Sequence, residues 1–242
     1  MRAPVIALLM IVWSLPGSAD VPRADKPQPV VGFQVQIAGR MMGVDCDSWT
    51  LTEIRDDGQI LSACKDYILE TSSSHDFNVV RLKRRDGQTM AEFLPYAPVI
   101  KFPLTVGARW RADYSFYTME LDEPLKARAS CEVAGWENVT VKAGEFPAFR
   151  IECTDNLSSG SRKFRTQSTR WYAPSASLVV KAENRQDPGR WNFEVASLGF
   201  ATDSEGPAPM EPAEAAPPPV ISAPAPAKSL DEVAPVLDID DY

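Results

Sequence analysis

The sequence predicts an all-β protein, an antiparallel meander that forms either a curled half-barrel or a sandwich. Apolar side chains occupy every second position in residues 33–37 and 109–116, which is the period of a strand with one buried face. Asp-Gly pairs at 57–58 and 86–87 separate alternating runs, and both residue types tolerate the positive φ of tight hairpin turns. Helical periodicity is weak throughout, so closely spaced strands joined by short turns account for most of the chain.

The predicted strands follow one another from residue 30 to residue 202. The hairpins are 48–63, 77–94, and 125–141 paired with 145–154 through a turn at Gly144, and the strands 163–173, 176–185 and 191–200 continue the meander. Large aromatic side chains dominate the buried area of a β domain. We therefore expect a core that contains Trp110, Tyr114, Phe146, Ile151 and Trp171.

Composition divides the chain into four parts. Residues 1–19 combine a basic residue, a short apolar run and small residues before the predicted cleavage point after Ala19, which is the pattern of a signal peptide. The apolar run is too short to cross a bilayer, so we expect no transmembrane segment in the mature chain and a location in the periplasm or outside the cell. Residues 20–29 are an extended linker, 30–202 the antiparallel β domain and 203–242 a tail.

The C-terminal tail is rich in proline, alanine and acidic residues. It holds nine acidic residues and one basic residue, Lys228, so its net charge of −8 equals that of the whole chain. The residues before the tail are therefore neutral overall and lack the field that attracts nucleic acid. The tail contains too little apolar surface to offset the entropy of ordering, which predicts disorder.

The end of the tail contains a predicted partner-binding motif. Ser229 and Glu232 have the spacing of a helix capping box, which favours a short helix on a partner. Leu230, Val233 and Leu237 would share one face of this helix, and the surrounding acids would steer it toward a basic surface of an envelope protein. A solubilising spacer is the alternative interpretation of the tail.

Four cysteines, Cys46, Cys64, Cys131 and Cys153, lie in the predicted β domain. An even number of cysteines in an exported chain indicates disulfides, and four cysteines allow three pairings. We predict the local pairing, Cys46 with Cys64 and Cys131 with Cys153, because the third predicted hairpin can bring the second pair opposite each other. No C-x-x-C motif is present and His75 is the single histidine, so the sequence predicts no metal site.

No motif identifies a catalytic residue, and none implies a cofactor. His75 lies beside Asp76 and follows three serines, but no nucleophile elbow presents a serine to them, so a surface loop is the better interpretation. Arg81, Lys83 and Arg85 alternate along one strand. They would form either an anion-binding face or the solvated side of an edge strand, where positive charge prevents unwanted pairing.

Three groups of residues recur in a known family: Phe102-Pro103-Leu104 with Val106-Gly107 and Trp110, residues 139–146 (VTVKAGEF), and Trp171-Tyr172-Ala173-Pro174. From Phe102 to Glu183 the chain resembles an uncharacterised all-β family of exported bacterial proteins, a family of unknown function. The sequence departs from the family pattern after Pro174, where Ser175 and Ser177 replace the usual glycines. The resemblance implies a curved-sheet envelope protein and no known chemistry.

Three functions are compatible with these observations. We expect a non-enzymatic periplasmic or secreted accessory or binding protein, with the β domain as scaffold and the acidic tail as partner contact. The alternative is a carrier that holds an apolar, lipid-like ligand on the concave face of the sheet. The third is a hydrolase whose site the sequence does not reveal.

Overall fold

The computed structural model describes residues 22–201, which form fourteen strands, one 3₁₀ turn and one short helix. The strands are β1 (Arg23–Ala24), β2 (Phe33–Gly39), β3 (Ser48–Ile54), β4 (Gln59–Cys64), β5 (Tyr67–Ser72), β6 (Asn78–Arg84), β7 (Thr89–Leu94), β8 (Leu104–Thr105), β9 (Arg109–Thr118), β10 (Leu125–Val141), β11 (Gly144–Ser159), β12 (Arg162–Ala173), β13 (Leu178–Asn184) and β14 (Phe193–Phe200). The 3₁₀ turn is Ser73–His75 and helix α1 is Pro188–Trp191. The predicted signal peptide and the tail, with its motif of Leu230, Val233 and Leu237, lie outside the described residues.

Twelve of the strands close into one antiparallel barrel. Around the barrel the order is β10-β11-β12-β13-β14-β2-β3-β4-β5-β6-β7-β9, and β9 returns to β10. The predicted all-β antiparallel meander is confirmed, and it closes into a complete barrel, where the sequence suggested a half-barrel or a sandwich. The barrel closes because β14 pairs with β2 from Phe193 opposite Gly39 to Phe200 opposite Phe33. Turn signals report only neighbouring strands, so they cannot reveal a pairing between the two ends of the domain.

Most predicted hairpins are present. The Asp-Gly turns join β3 to β4 and β6 to β7, and the turn at Gly144 joins the two longest strands, β10 and β11. The prediction missed β5, whose central residues are all buried and therefore do not alternate. It also missed β1, which lies within the predicted linker 20–29 and pairs with β8 in a separate two-stranded sheet.

The core consists of apolar clusters distributed along the barrel. One surrounds Phe149 and Ile151, a second surrounds Leu82, and a third surrounds Val180 and Val195. Of the predicted core residues, Trp110 and Ile151 are buried. Tyr114, Phe146 and Trp171 are instead partly buried and pack against the clusters.

The alternation of β10 fixes which face points inward. Leu125, Ala127, Ala129, Cys131 and Val133 are all buried. The residues between them are exposed or half-buried, and residues directly opposite each other on neighbouring strands share a face. The inward and outward faces of β9, β11 and β12 can therefore be assigned from their pairing with β10.

Candidate functional site

Both predicted disulfides are present in the structure. Cys131 and Cys153 lie directly opposite each other on β10 and β11, with Cα atoms 4.1 Å apart, and Val133 lies opposite Ile151. The Cys46–Cys64 bridge joins the segment before β3 to the end of β4 across a Cα–Cα distance of 6.0 Å. All four cysteines are buried, so the two bridges cross-link the core.

The basic strand that the sequence singles out is β6, and it is not an edge strand. It pairs with β5 on one side and β7 on the other. Lys83 Nζ lies 2.6 Å from an Oε atom of Glu70, a carboxylate whose side chain is only 2 % exposed. Arg81 bridges the same glutamate and Glu92, with its closest contact at 2.6 Å to Glu92. The interpretation as a solvated edge is wrong because these cations neutralise a buried carboxylate.

His75 does not pair with its neighbouring acid. Its ring stacks on Tyr96 with ring centroids 4.4 Å apart, and its Nδ1 lies 3.4 Å from Ser74 Oγ. The Asp76 carboxylate instead lies 3.5 Å from Lys26 Nζ. Lys26 also donates a 2.7 Å hydrogen bond to the Ser73 carbonyl. This corner therefore attaches the N-terminal segment to the barrel.

A polar cluster lies on the inward face between β9, β11 and β12. Tyr114 donates a 3.1 Å hydrogen bond from its hydroxyl to Asp155, and Arg170 donates a 2.7 Å hydrogen bond to Ser168 Oγ. Burial raises the pKa of Asp155, and burial together with the nearby carboxylate raises the pKa of Tyr114 above its usual range. Burial also lowers the pKa of the Arg170 guanidinium, which the charge of Asp155 partly offsets.

The residues opposite this cluster explain how it fits inside the barrel. Tyr114 lies opposite Ala127 and Asp155 lies opposite Ala129, so short side chains leave room for the long polar ones. Elsewhere the inward face is occupied by the apolar clusters. The concave face that a carrier would offer to an apolar ligand therefore holds core side chains in this structure.

The outward face of β9–β12 carries a group of cations that sequence reasoning missed. Across the strands, Lys126 lies opposite Ser158 and Ser158 opposite Lys163. In the adjacent row, Arg128 lies opposite Asn156 and Asn156 opposite Arg165. We define the basic face as Arg111, Lys126, Arg128, Lys163 and Arg165, all of which are exposed. The sequence does show cations at alternate positions in the predicted strands 125–141 and 163–173. Only the register of the folded sheet shows that these cations lie close to each other.

One acid lies among these cations, and two shallow depressions lie on or beside the basic face. Asp113 accepts a 2.6 Å hydrogen bond from Arg128, which lowers the pKa of its carboxyl. One depression of about 390 Å³ is lined by Asn156, Leu157, Ser158, Lys163, Phe164 and Arg165. A second, of about 630 Å³, lies toward the other end of the strands and is lined by Arg109, Trp110, Arg111, Ser130, Cys131, Glu132, Glu152 and Thr154.

The structure has two further properties that bear on the site. Within residues 22–201, no three His, Cys, Asp or Glu side chains are grouped so that they could hold a metal ion. In the same range, no helix has the length and apolar character needed to cross a membrane.

The described residues thus define a disulfide-linked antiparallel barrel protein. Its fold is similar to three solved structures: a putative lipoprotein from Parabacteroides distasonis (13% identity, TM-score 0.42, 73% of this chain and 99% of that chain), the hypothetical lipoprotein YmcC from Escherichia coli (14%, 0.45, 69% and 82%) and a putative exported protein with YmcC-like fold from Bacteroides fragilis (11%, 0.41, 73% and 99%). At these identities the similarity concerns the path of the chain alone. No family model and no curated protein matches the sequence.

Proposed function

We propose that this protein is a non-enzymatic exported binding protein, with the barrel as scaffold and the acidic C-terminal segment as the contact with an envelope protein. The observation that carries the proposal is the distribution of charge. Residues 203–242 hold nine acids and one base, whereas the residues before them hold 24 acids and 24 bases. The whole net charge of the protein therefore belongs to the segment proposed to bind.

Several charges of the barrel are paired within the barrel. Glu70 is neutralised by Lys83 and Arg81, and Arg190 of helix α1 lies 2.9 Å from Glu120 in the turn before β10. A body whose charges balance suits a scaffold. The excess acids of 203–242 would guide that segment toward a basic partner surface and raise the rate of encounter.

The apolar residues near the end of the chain supply the anchor of the proposed contact. Leu230, Val233 and Leu237 have the i, i+3, i+7 spacing of one helix face. A short amphipathic helix binds a partner by placing such a face in an apolar groove. Charge would then determine the approach, and the three apolar side chains would determine the affinity.

The contacts of the usual catalytic side chains support the non-enzymatic part of the proposal. The four cysteines form disulfides in the core. His75 stacks on Tyr96 while its neighbour Asp76 pairs with Lys26. These side chains therefore have structural contacts that account for their positions.

Site-specific cross-linking in cells tests the proposal. A photoreactive residue placed at Leu237 should form an adduct with an envelope protein, and Leu230→Ser with Val233→Ser should lower its yield at least tenfold, since each buried leucine or valine contributes about 1.5–3 kcal/mol. The matched control is Val220→Ser with Ile221→Ser, which removes two apolar side chains from the same segment outside the motif. Equal yields from both double variants, or no adduct at all, would reject the proposed contact.

A further inference from the structure

We propose that the basic face of β9–β12 binds the surface of an anionic phospholipid bilayer, through the phosphates of the lipid headgroups. The inference is independent of the proposed tail contact, because it rests on a different surface and a different charge. The five cations of the face come from β9, β10 and β12.

The first argument is that most of these cations have no acidic partner. Among residues 22–201, Arg128 is the one member of the basic face that forms an ion pair, with Asp113. On β6, by contrast, Lys83 forms an ion pair with Glu70 and Arg81 forms one with Glu92. The turn before β10 adds the exposed acids Asp122 and Glu123, so the five cations exceed the three nearby acids. Glu132 and Glu152, toward the other end of the strands, are paired with Arg109 and Arg150.

The second argument is the arrangement of the cations in two dimensions. Lys126 and Lys163 are separated by one strand, which places their backbones about 10 Å apart. Lys126 and Arg128 are two residues apart on β10, about 7 Å. On β11, Ser158 and Asn156 lie between the cations of β10 and those of β12. Their side chains are short, so the longer cationic side chains extend past them. The result is an array of positive charge that extends both along and across the strands.

A spread of cations along and across several strands favours a membrane over an acidic peptide. The first residues of β12 have no partner strand on the side away from β11, since pairing with β13 begins at Ser168. A peptide added as a strand at that edge would contact Lys163 and Arg165, but would lie more than 10 Å from Lys126. A surface of phosphates offers partners to the cations of β10 and of β12 together.

The net charge of the protein does not prevent this binding. At physiological ionic strength, charge interactions are screened over about 8 Å. The field at the headgroups therefore depends on the surface that faces them, and the total charge of −8 has little influence at longer distances. Each Lys or Arg close to an anionic membrane strengthens binding by about fivefold.

Vesicle flotation of the purified full chain tests the proposal. Vesicles of phosphatidylglycerol and phosphatidylcholine in equal parts should bind the protein at least tenfold more strongly than vesicles of phosphatidylcholine alone, and high salt should abolish the difference. Lys163→Gln with Arg165→Gln should weaken binding to the anionic vesicles by about 25-fold. The matched control is Lys101→Gln with Lys142→Gln, two exposed cations outside the face, which should change binding less than twofold.

The outcomes separate this proposal from its competitors. Equal binding to both vesicle types, or equal losses in the two double variants, would overturn it. Binding of the face to soluble polyglutamate without binding to vesicles would assign an acidic peptide instead. Self-association of the Lys163→Gln, Arg165→Gln protein with unchanged vesicle binding would show that these cations only protect the edge of β12. The Leu230→Ser, Val233→Ser protein should bind vesicles normally, so failure of the tail contact would leave this result unaffected.

Discussion

At the residue scale, the buried carboxylate of Glu70 shows how the barrel accommodates charge. Its side chain is 2 % exposed and contacts Lys83 at 2.6 Å and Arg81 at 3.6 Å. A buried charge is tolerated only when it is paired and hydrogen-bonded. The period of β6 shows that Arg81 and Lys83 share a face, but their acidic partners come from β5 and β7, so the sequence of one strand cannot identify them.

Removing the amine that neutralises Glu70 should destabilise the protein. We expect Lys83→Met to lower the free energy of unfolding by about 1.5–3 kcal/mol, the usual value of a hydrogen bond to a charged group, because Arg81 and Gln59 remain near the carboxylate. Urea unfolding measures the change. Arg84→Met, at an exposed position of the same strand, should cost much less, and equal losses in the two variants would contradict this account of Glu70.

Two aspartates should titrate on opposite sides of their ordinary pKa of 3.8. Burial raises the pKa of Asp155. The protein therefore loses stability as the pH rises from the pKa of this carboxyl in the unfolded chain to its higher pKa in the folded protein. The hydrogen bond from Arg128 lowers the pKa of Asp113, so its stabilising contribution is lost as the pH falls through the folded pKa. Carboxyl NMR titration measures both, with Asp155→Asn and Asp113→Asn to assign the signals. The reverse order of the two pKa values would contradict the placement of Asp155 inside the barrel.

The two tryptophans Trp110 and Trp136 provide a matched test of the core. Trp110 is 8% exposed and donates a 2.8 Å hydrogen bond from Nε1 to the Pro98 carbonyl, whereas Trp136 is 38% exposed. Trp110→Ala should lower the free energy of unfolding by about 3–5 kcal/mol, and Trp136→Ala by clearly less. Chemical unfolding of the two variants gives the comparison, and a Trp110→Ala protein as stable as the wild type would remove Trp110 from the core.

At the element scale, local sequence signals predict the hairpins well. The turns at 57–58, 86–87 and Gly144 all lie between the expected strands, because Asp-Gly and glycine turns act on adjacent residues. Strand β5 was missed since it is buried on both faces and does not alternate. The basic face was missed for a different reason: its cations come from separate strands, and only the register shows that they are neighbours.

The bridge between β10 and β11 should stabilise the longest hairpin. Cys131 and Cys153 are separated by 22 positions, and closing a loop of that length contributes about 3 kcal/mol on the chain-entropy model. Cys131→Ala with Cys153→Ala should therefore lower the free energy of unfolding by about that amount, as measured by denaturant titration. A non-reducing peptide map is the companion measurement, and a Cys64–Cys131 linkage would reject the pairing.

At the scale of the whole molecule, the sequence predicts the β domain and the acidic segment better than the closure of the barrel. The neutral β domain and the charged terminal segment can both be counted directly from residue types. The closed barrel depends on β2 and β14, which contain residues more than 150 positions apart and pair side by side. No local signal encodes that contact. For the same reason, the sequence identifies the basic strand β6 but not the basic face, whose cations come from separate strands.

The central claim is that the barrel is a self-sufficient scaffold and that the acidic segment serves binding. The most direct test is the thermal unfolding midpoint of a chain that ends at Thr202, compared with that of the full chain under the same conditions. We predict equal midpoints, because the disulfides, the clusters and the closing β2–β14 ladder all lie within residues 22–201. A clearly lower midpoint for the shortened chain would show that the acidic segment stabilises the fold and would contradict the account.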